Sequence, residues 1–440
     1  MRRITGLASL VLAGALAQTA IISHSGAEPA PPSAPQAITL DDAIAEALVS
    51  APDIAAAAET AVQARADLKT ASLFPNPDLS AATTLQHLPG GHYTKTNPGG
   101  PPQYNFDVSQ QIDTLLFGKR AAAIESAKRA VATAEADFAD QKRRRAGDVA
   151  AAFFDVVESR GLLDLSRQDL ENLQRVESLT RSRVQLGASA AIDFDRARLA
   201  VATSQQDLRT AETTLVAALA SLRSLLGRRL ADPGFDVVGA LDVPTPRQPP
   251  ELEPLLASAE EVRVDLISLR HQVEHWEAEV KSQSRTAFPT VSFQLGYLYQ
   301  HQEPIGLRDL NEWEGSLTTS LPLFDRNQGN IAKAESEVRQ ARHSLEAARA
   351  SLRAELDEAI AAFRAAYSSV LADDPAQLRA ARSVRDRMEA AYKAGGRTIL
   401  ELLDAEKAYR DAMRLHVHAQ SSYWHTLYRL DTAAGAPIGR

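Results

Sequence analysis

Apolar residues recur every seven positions along a proline-free stretch spanning residues 117–197. Ile124, Val131 and Phe138 keep the step, the register shifts by four, and Val149, Val156, Leu163 and Leu170 resume it. A sustained seven-residue step predicts a helix packed along its length against other helices. The shift of four is a stutter, which locally unwinds a supercoil. The run opens at Phe117-Gly118-Lys119-Arg120 and continues for some sixty-five residues, a rod of about 100 Å at 1.5 Å per residue. It ends at Leu186-Gly187, where glycine can take a left-handed cap. A shorter helix over 192–226 keeps the step through Leu208, Leu215 and Leu222 and stops at Gly227.

Ahead of the rod the period changes. Thr39 reads as an N-cap, with Asp41 and Asp42 in the first turn where acidic groups favour the helix dipole. Ile44, Ala47 and Leu48 give a short amphipathic helix ending near Ala51-Pro52, and a second helix follows to about Phe74. Pro75-Asn76-Pro77 breaks it. Leu79, Ala81, Thr83 and Leu85 then alternate with polar or small residues, and so do Tyr104, Phe106, Val108 and Ile112. Period two predicts strands. Here it gives a hairpin of two strands, each about eleven residues, around the glycine- and proline-rich loop 89–102.

The chain then repeats itself. A helix over 262–287 ends in Phe288-Pro289, as the earlier one ends in Phe74-Pro75. Val291, Phe293, Leu295, Tyr297 and Tyr299 alternate, and after a loop so do Trp313, Leu317, Thr319 and Leu321. Pro322-Leu323-Phe324-Asp325 opens a second rod. In it Ile331, Val338 and Leu345 reproduce the first rod at a shift of 207, and Leu356, Phe363 and Val370 do the same beyond the stutter. Gly395 answers Gly187, and Gly435 answers Gly227. Matched strands, rods, stutters and caps mean an internal duplication. The copies differ at Asp373-Asp374-Pro375, where proline should kink the second rod or open a loop.

The resulting organisation is a signal peptide at 1–27 and a proline-rich leader at 28–37, then a first repeat at 38–227 with a strand pair in 77–113 and a helical hairpin in 118–226. A linker at 228–250 carries five prolines and a short strand near Val237-Val238. The second repeat at 251–435 holds one helix, a strand pair in 290–322 and a hairpin in 325–434, with a tail at 436–440. Arg2-Arg3, the apolar run 7–17 and Ser25-Gly26-Ala27 carry the signal-peptide reading, because that run is too short to span a membrane.

Composition narrows the function. The chain has no cysteine, so neither disulfides nor an acylated cysteine are expected to hold it. A net charge of −8 argues against nucleic acid as a partner. No Gly-x-Ser-x-Gly, His-Glu-x-x-His or phosphate loop occurs, which argues against an enzyme and implies no cofactor. His271/His275 and His418/His425 sit at helical spacings that suit a metal ion or simply a polar face. The four alternating strands suit a barrel wall between lipid and water. The same alternation also fits a water-soluble sheet with one face on a core; strand length and the signal peptide favour the membrane. Four strands cannot close a barrel, and an open edge in lipid is costly, so a membrane wall demands oligomerisation. The strands do not choose two, three or more copies.

The whole mature chain resembles the TolC family of outer-membrane efflux channels. Leu40-Asp41-Asp42-Ala43-Ile44 with Pro52-Asp53, Phe74-Pro75-Asn76-Pro77, Val184-Gln185-Leu186-Gly187 and Tyr392-Lys393-Ala394-Gly395 carry the likeness through their order and doubling. Phe117-Gly118-Lys119-Arg120 and the run from Leu323 to Asn330 look most like the branch serving heavy-metal RND pumps. The resemblance implies a mainly α protein with a small β part. Its long hairpins would form a trimeric α-barrel, and four strands per chain would contribute to a twelve-stranded barrel in the outer membrane. It further implies a passive exit duct for heavy-metal cations, with a periplasmic adaptor, an inner-membrane RND pump, the homotrimer and outer-membrane lipid as partners. Drug efflux, type I protein secretion and a periplasmic coiled-coil adaptor or scaffold are the alternatives. Turns at Gly187 and Gly395 would meet the adaptor. In the resemblance Asp193 ties neighbouring helices at a closed tip with Tyr392 and Arg397, while Glu401 and Asp404 ring the pore with carboxylates.

Overall fold

The computed structural model describes residues 36–438 apart from 85–101, 231, 233, 244, 304–305 and 374. The signal peptide expected at 1–27, most of the leader, most of the 89–102 loop and Asp374 lie outside the described residues.

Helix α1 (Leu40–Ser50) starts at Thr39 with a capping box, in which the Asp42 amide and carboxylate both engage Thr39. Pro52 opens α2 (Pro52–Ser72), where its missing N–H is an orphan anyway. Strands β2 (Asp78–Thr84) and β3 (Gln103–Gln111) follow, then the one-turn α3 (Asp113–Leu116) and the first rod. That rod is α4 (Lys119–Gln185), 67 residues in one helix, about 100 Å long, with α5 (Ala191–Leu225) returning beside it. Asn327, at φ +61°, precedes the second rod where Gly118, at φ +68°, precedes the first. Asparagine is among the few residues that tolerate this left-handed position.

Three features differ from the sequence reading. The helix expected over 262–287 is α7 (Val264–Thr286), and an unanticipated helix, α6 (Leu252–Val262), precedes it. They part at Arg263, whose extended backbone lets its buried guanidinium reach Asp265, Glu355 and the Ala433 carbonyl; no proline marks the break. The second rod is interrupted where the proline led one to expect, giving α8 (Gln328–Ala372) and α9 (Pro375–Lys393), followed by α10 (Ile399–Ala434). Gln36 and Ala37, counted with the leader, belong to β1 (Gln36–Ile38), which pairs in parallel with β4 (Phe235–Val237) in the linker, just ahead of the strand position expected. Strands β2, β3, β5 (Val291–Gln300) and β6 (Leu310–Thr319) span 7 to 10 described residues rather than eleven.

The two repeats meet in one antiparallel sheet of order β2-β3-β5-β6, with β2 and β6 as open edges. Below it the upper part of α4 packs on α2 and α7, and its lower part on α5 and α10. Two apolar cores grip the rods at mid-height. One joins α1, α4, α5, β1 and β4; the other joins α6, α7, α8 and α10. Trp424 touches both, stacks on Phe154 at 5.5 Å and donates its indole N–H to the Leu241 carbonyl at 2.9 Å. Leu222, Leu226 and Leu356 are fully buried there, each contributing about 1.5–3 kcal/mol over exposure.

Candidate functional site at the helix tips

The two helical hairpins turn at matching glycines. Gly187 (φ +71°) and Gly395 (φ +81°) take the left-handed conformation that reverses a chain without steric cost. Around each, two amides close the turn: Gly187 onto Val184 and Ala188 onto Arg183, then Gly395 onto Tyr392 and Gly396 onto Ala391. The turns are joined within the chain. Tyr392 is 1% exposed, and its hydroxyl meets Thr180 Oγ1 of α4 at 2.9 Å. The Arg183 guanidinium lies 4.7 Å from the centre of the Tyr392 ring and donates to the Tyr392 carbonyl. It also donates to Ser189 Oγ at 3.2 Å and to the Ala188 carbonyl at 3.3 Å. Val176, Ala197, Ile399 and Leu402 complete a small apolar core beneath. One arginine and one tyrosine therefore pin the second turn to the first.

The expected gate residues have the following partners within the chain. Asp193 faces Arg196 on its own helix at 3.7 Å, and among the described residues it meets neither Tyr392 nor Arg397. Arg397 donates to Glu401 at 2.8 Å. The other Glu401 oxygen accepts from the Thr398 amide at 2.8 Å and hydroxyl at 3.1 Å, closing the capping box of α10. These contacts, the Thr398 amide foremost and Arg397 next, hold the Glu401 carboxyl below the usual glutamate range. Asp404 is exposed and lines a cleft of about 370 Å³ with Arg196, Lys407 and Arg410.

Just above the tip core lies a group the sequence did not single out. Glu406 of α10 is 4% exposed. It faces Arg385 and Glu389 from α9 and Asp169 and Arg175 from α4. Burial foremost, with Asp169 and Glu389 adding, pushes its carboxyl up to about 7. Asp169 is itself buried, accepting from Ser204 Oγ at 2.8 Å and Arg410 at 3.1 Å.

The histidines take separate partners. His275 donates to the Ser126 carbonyl at 3.0 Å, while His271 sits 3.4 Å from Glu274. His418 meets Glu158 at 3.1 Å and His425 lies 3.2 Å from Asp155. Among the described residues no three metal-ligating side chains converge.

Register divides the sheet into two faces. Phe106, Tyr297 and Trp313 stand in one cross-strand row, with Val108 and Leu295 in the next and Phe293 opposite Leu317 beyond. The opposite face carries Asp78, Asp107, Glu312 and Glu314 among small and amide side chains, with Leu298 and Leu310 towards one end, and no strand contains a lysine or arginine. One apolar, aromatic face and one polar face are what a wall between lipid and water requires.

The outer membrane efflux protein family model matches both halves, over residues 43–228 and 255–436. The chain belongs to that family. The cobalt-zinc-cadmium resistance protein CzcC of Cupriavidus metallidurans is 25% identical over 378 residues, 84% of this chain and 83% of that one. The outer membrane protein TolC of Vibrio cholerae is 23% identical over 326 residues, 71% of this chain and 72% of that one. A crystal structure of CusC matches with a TM-score of 0.71 at 20% identity, covering 90% of this chain and 92% of that one. The protein is thus an outer-membrane efflux channel and not an enzyme, with the duplicated helical hairpins and strand pairs of its family. Among the described residues of the channel no helix is long and apolar enough to cross a membrane.

Sequence reasoning passed over Arg183, Thr180 and Glu406 in the channel. A basic residue four positions before Gly187 was a usable signal, since cations favour the last helical turn. Glu406 gave none; only packing reveals its burial.

Proposed function

We propose that three copies of this chain form the exit duct of a tripartite efflux system, passing heavy-metal cations delivered by an inner-membrane RND pump through a periplasmic adaptor. The observation that carries the duct is the four-stranded sheet with both edges open, set on rods of about 100 Å. Three such sheets give twelve strands and leave no edge in lipid, which the hydrocarbon would penalise heavily. The cation reading draws on the resistance named for CzcC and on the polar strand face, which carries four carboxylates and no cation. Rings of carboxylates favour cations over anions. Transport is passive, with energy supplied by the pump.

The turns at Gly187 and Gly395 dock the adaptor, and the gate lies beside them. Within one chain Asp193 is held by Arg196 and Arg397 by Glu401, so the proposed lock from Asp193 to Arg397 runs between protomers. Tyr392 serves it indirectly, by fixing the height of the second turn. Glu401 and Asp404 are the carboxylates of the tip. Arg397→Ala should raise single-channel conductance; conductance no higher than wild type refutes the lock. The cargo is tested in a deletion strain challenged with metal salts, drugs and dyes. Sensitivity to metal salts is expected. Sensitivity confined to drugs and dyes overturns the cation assignment and leaves the duct standing.

A further inference from the structure

Beneath the sheet, the first turns of α4 and the last turns of α7 enclose a groove of about 980 Å³. Leu116, Phe117, Ala278 and Phe288 supply apolar walls, with Phe117 stacked on Phe288 at 5.3 Å. Three glutamates line the groove, and each is already engaged: Glu125 and Glu274 by Arg129, and Glu277 by Arg342. Lys281 and Arg285 also line it, one helical turn apart, and among the described residues neither has an ion-pair partner. The Arg285 guanidinium stands 5.8 Å from the Phe288 ring centre. The groove thus combines an apolar cleft with two cations that, among the described residues, form no ion pair.

Its place in the fold says what neutralises them. Phe288 lies three residues before β5, at the end of the strands where they pass into the rods. The same level carries exposed apolar side chains at the other junctions: Leu73 and Phe74, Leu115 and Leu116, Leu323 and Phe324. Phe324 is 92% exposed. This collar borders the end of a sheet that sits in the outer membrane, at the level of the periplasmic leaflet. Basic side chains at a membrane interface draw anionic headgroups, while apolar neighbours take up the acyl region.

We infer that the groove between α4 and α7 holds an anionic phospholipid of the inner leaflet, its phosphate between Lys281 and Arg285 and its acyl chains along Phe117 and Phe288. The site ties the periplasmic end of the barrel to its leaflet without an acylated cysteine. It is independent of the cargo and of the gate.

The test is native mass spectrometry of the full-length channel released from nanodiscs of equal phosphatidylglycerol and phosphatidylcholine. Wild type is expected to retain phosphatidylglycerol at least tenfold over phosphatidylcholine, and to lose the preference as salt rises. The double variant Lys281→Gln, Arg285→Gln should retain both lipids equally, while Lys281→Arg, Arg285→Lys, which keeps the charges, should behave as wild type. Equal retention by wild type overturns the inference, as does an undiminished preference in the double Gln variant. Loss of preference in the charge-preserving pair also overturns it, since the effect is then one of packing. Circular dichroism identical to wild type certifies each variant as folded.

Discussion

Replacing Glu406 by glutamine should remove a pH dependence from the helix tips. Glu406 is 4% exposed between α4, α9 and α10. Its carboxyl titrates near 7 in the fold against an ordinary 4.5, because burial disfavours the anion, Asp169 and Glu389 add to that, and Arg385 and Arg175 offset only part of it. Between those two values the folded tip holds a proton that the opened tip has released. Protonation therefore stabilises the tip fully below about pH 4.5, and that stability is lost as pH rises through about 7. Integrated from pH 5.5 to pH 8, the loss is about 2 kcal/mol, or roughly thirtyfold in the opening equilibrium. Native-state amide exchange reads it directly, once intrinsic exchange rates are divided out. Amides of 399–410 and 173–180 in wild type should open about thirtyfold more often at pH 8. Glutamine mimics the neutral acid, so Glu406→Gln should exchange nearly independently of pH and be the better protected form at pH 8. An equal pH slope in wild type and variant refutes the reasoning, because the titrating group then lies elsewhere.

Tyr392→Phe removes the hydroxyl that meets Thr180 at 2.9 Å. Because Thr180 still donates to the Val176 carbonyl at 2.8 Å, the expected loss is about 0.5–1.5 kcal/mol of local stability, read as faster exchange confined to the two turns. Gly227→Ala fails on two counts, since φ is +74° and a Cβ would stand 2.6 Å from the Ser50 carbonyl oxygen. The left-handed conformation alone costs about 1–2 kcal/mol, and the clash with fixed backbone adds to it. Thermal denaturation should show a clear drop in Tm, and a Tm within a degree of wild type would mean that the α1–α2 corner yields easily.

The rods were legible because their causes are local and periodic. A seven-residue apolar step, a stutter and a capping glycine can all be counted along the chain, and α4 ends at Gln185, two residues short of Gly187. The break between α6 and α7 left no such mark. Arg263 is neither proline nor glycine, and it leaves the helix to reach carboxylates on two elements and the carbonyl of Ala433. Of the β1–β4 pair only β4 was signalled, near Val237-Val238; Gln36–Ile38 is a three-residue strand that means nothing until it is brought beside Phe235–Val237. At the tips, Gly187, Gly395 and the acidic positions could be picked out by spacing. Their partners could not, since a carboxylate such as Glu401 serves its own helix cap as readily as a neighbour.

Sequence alone determined the duplication, the two strand pairs and the helical hairpins, because periodicity follows from the order of residues. Tertiary structure decided which charges are buried and which are spoken for. Glu406 titrates near neutrality, Arg183 clasps the second turn and Lys281 is left without an ion pair among the described residues only through packing between elements far apart in the chain. Desolvation and pairing are properties of three-dimensional neighbours, and no count along the chain contains them.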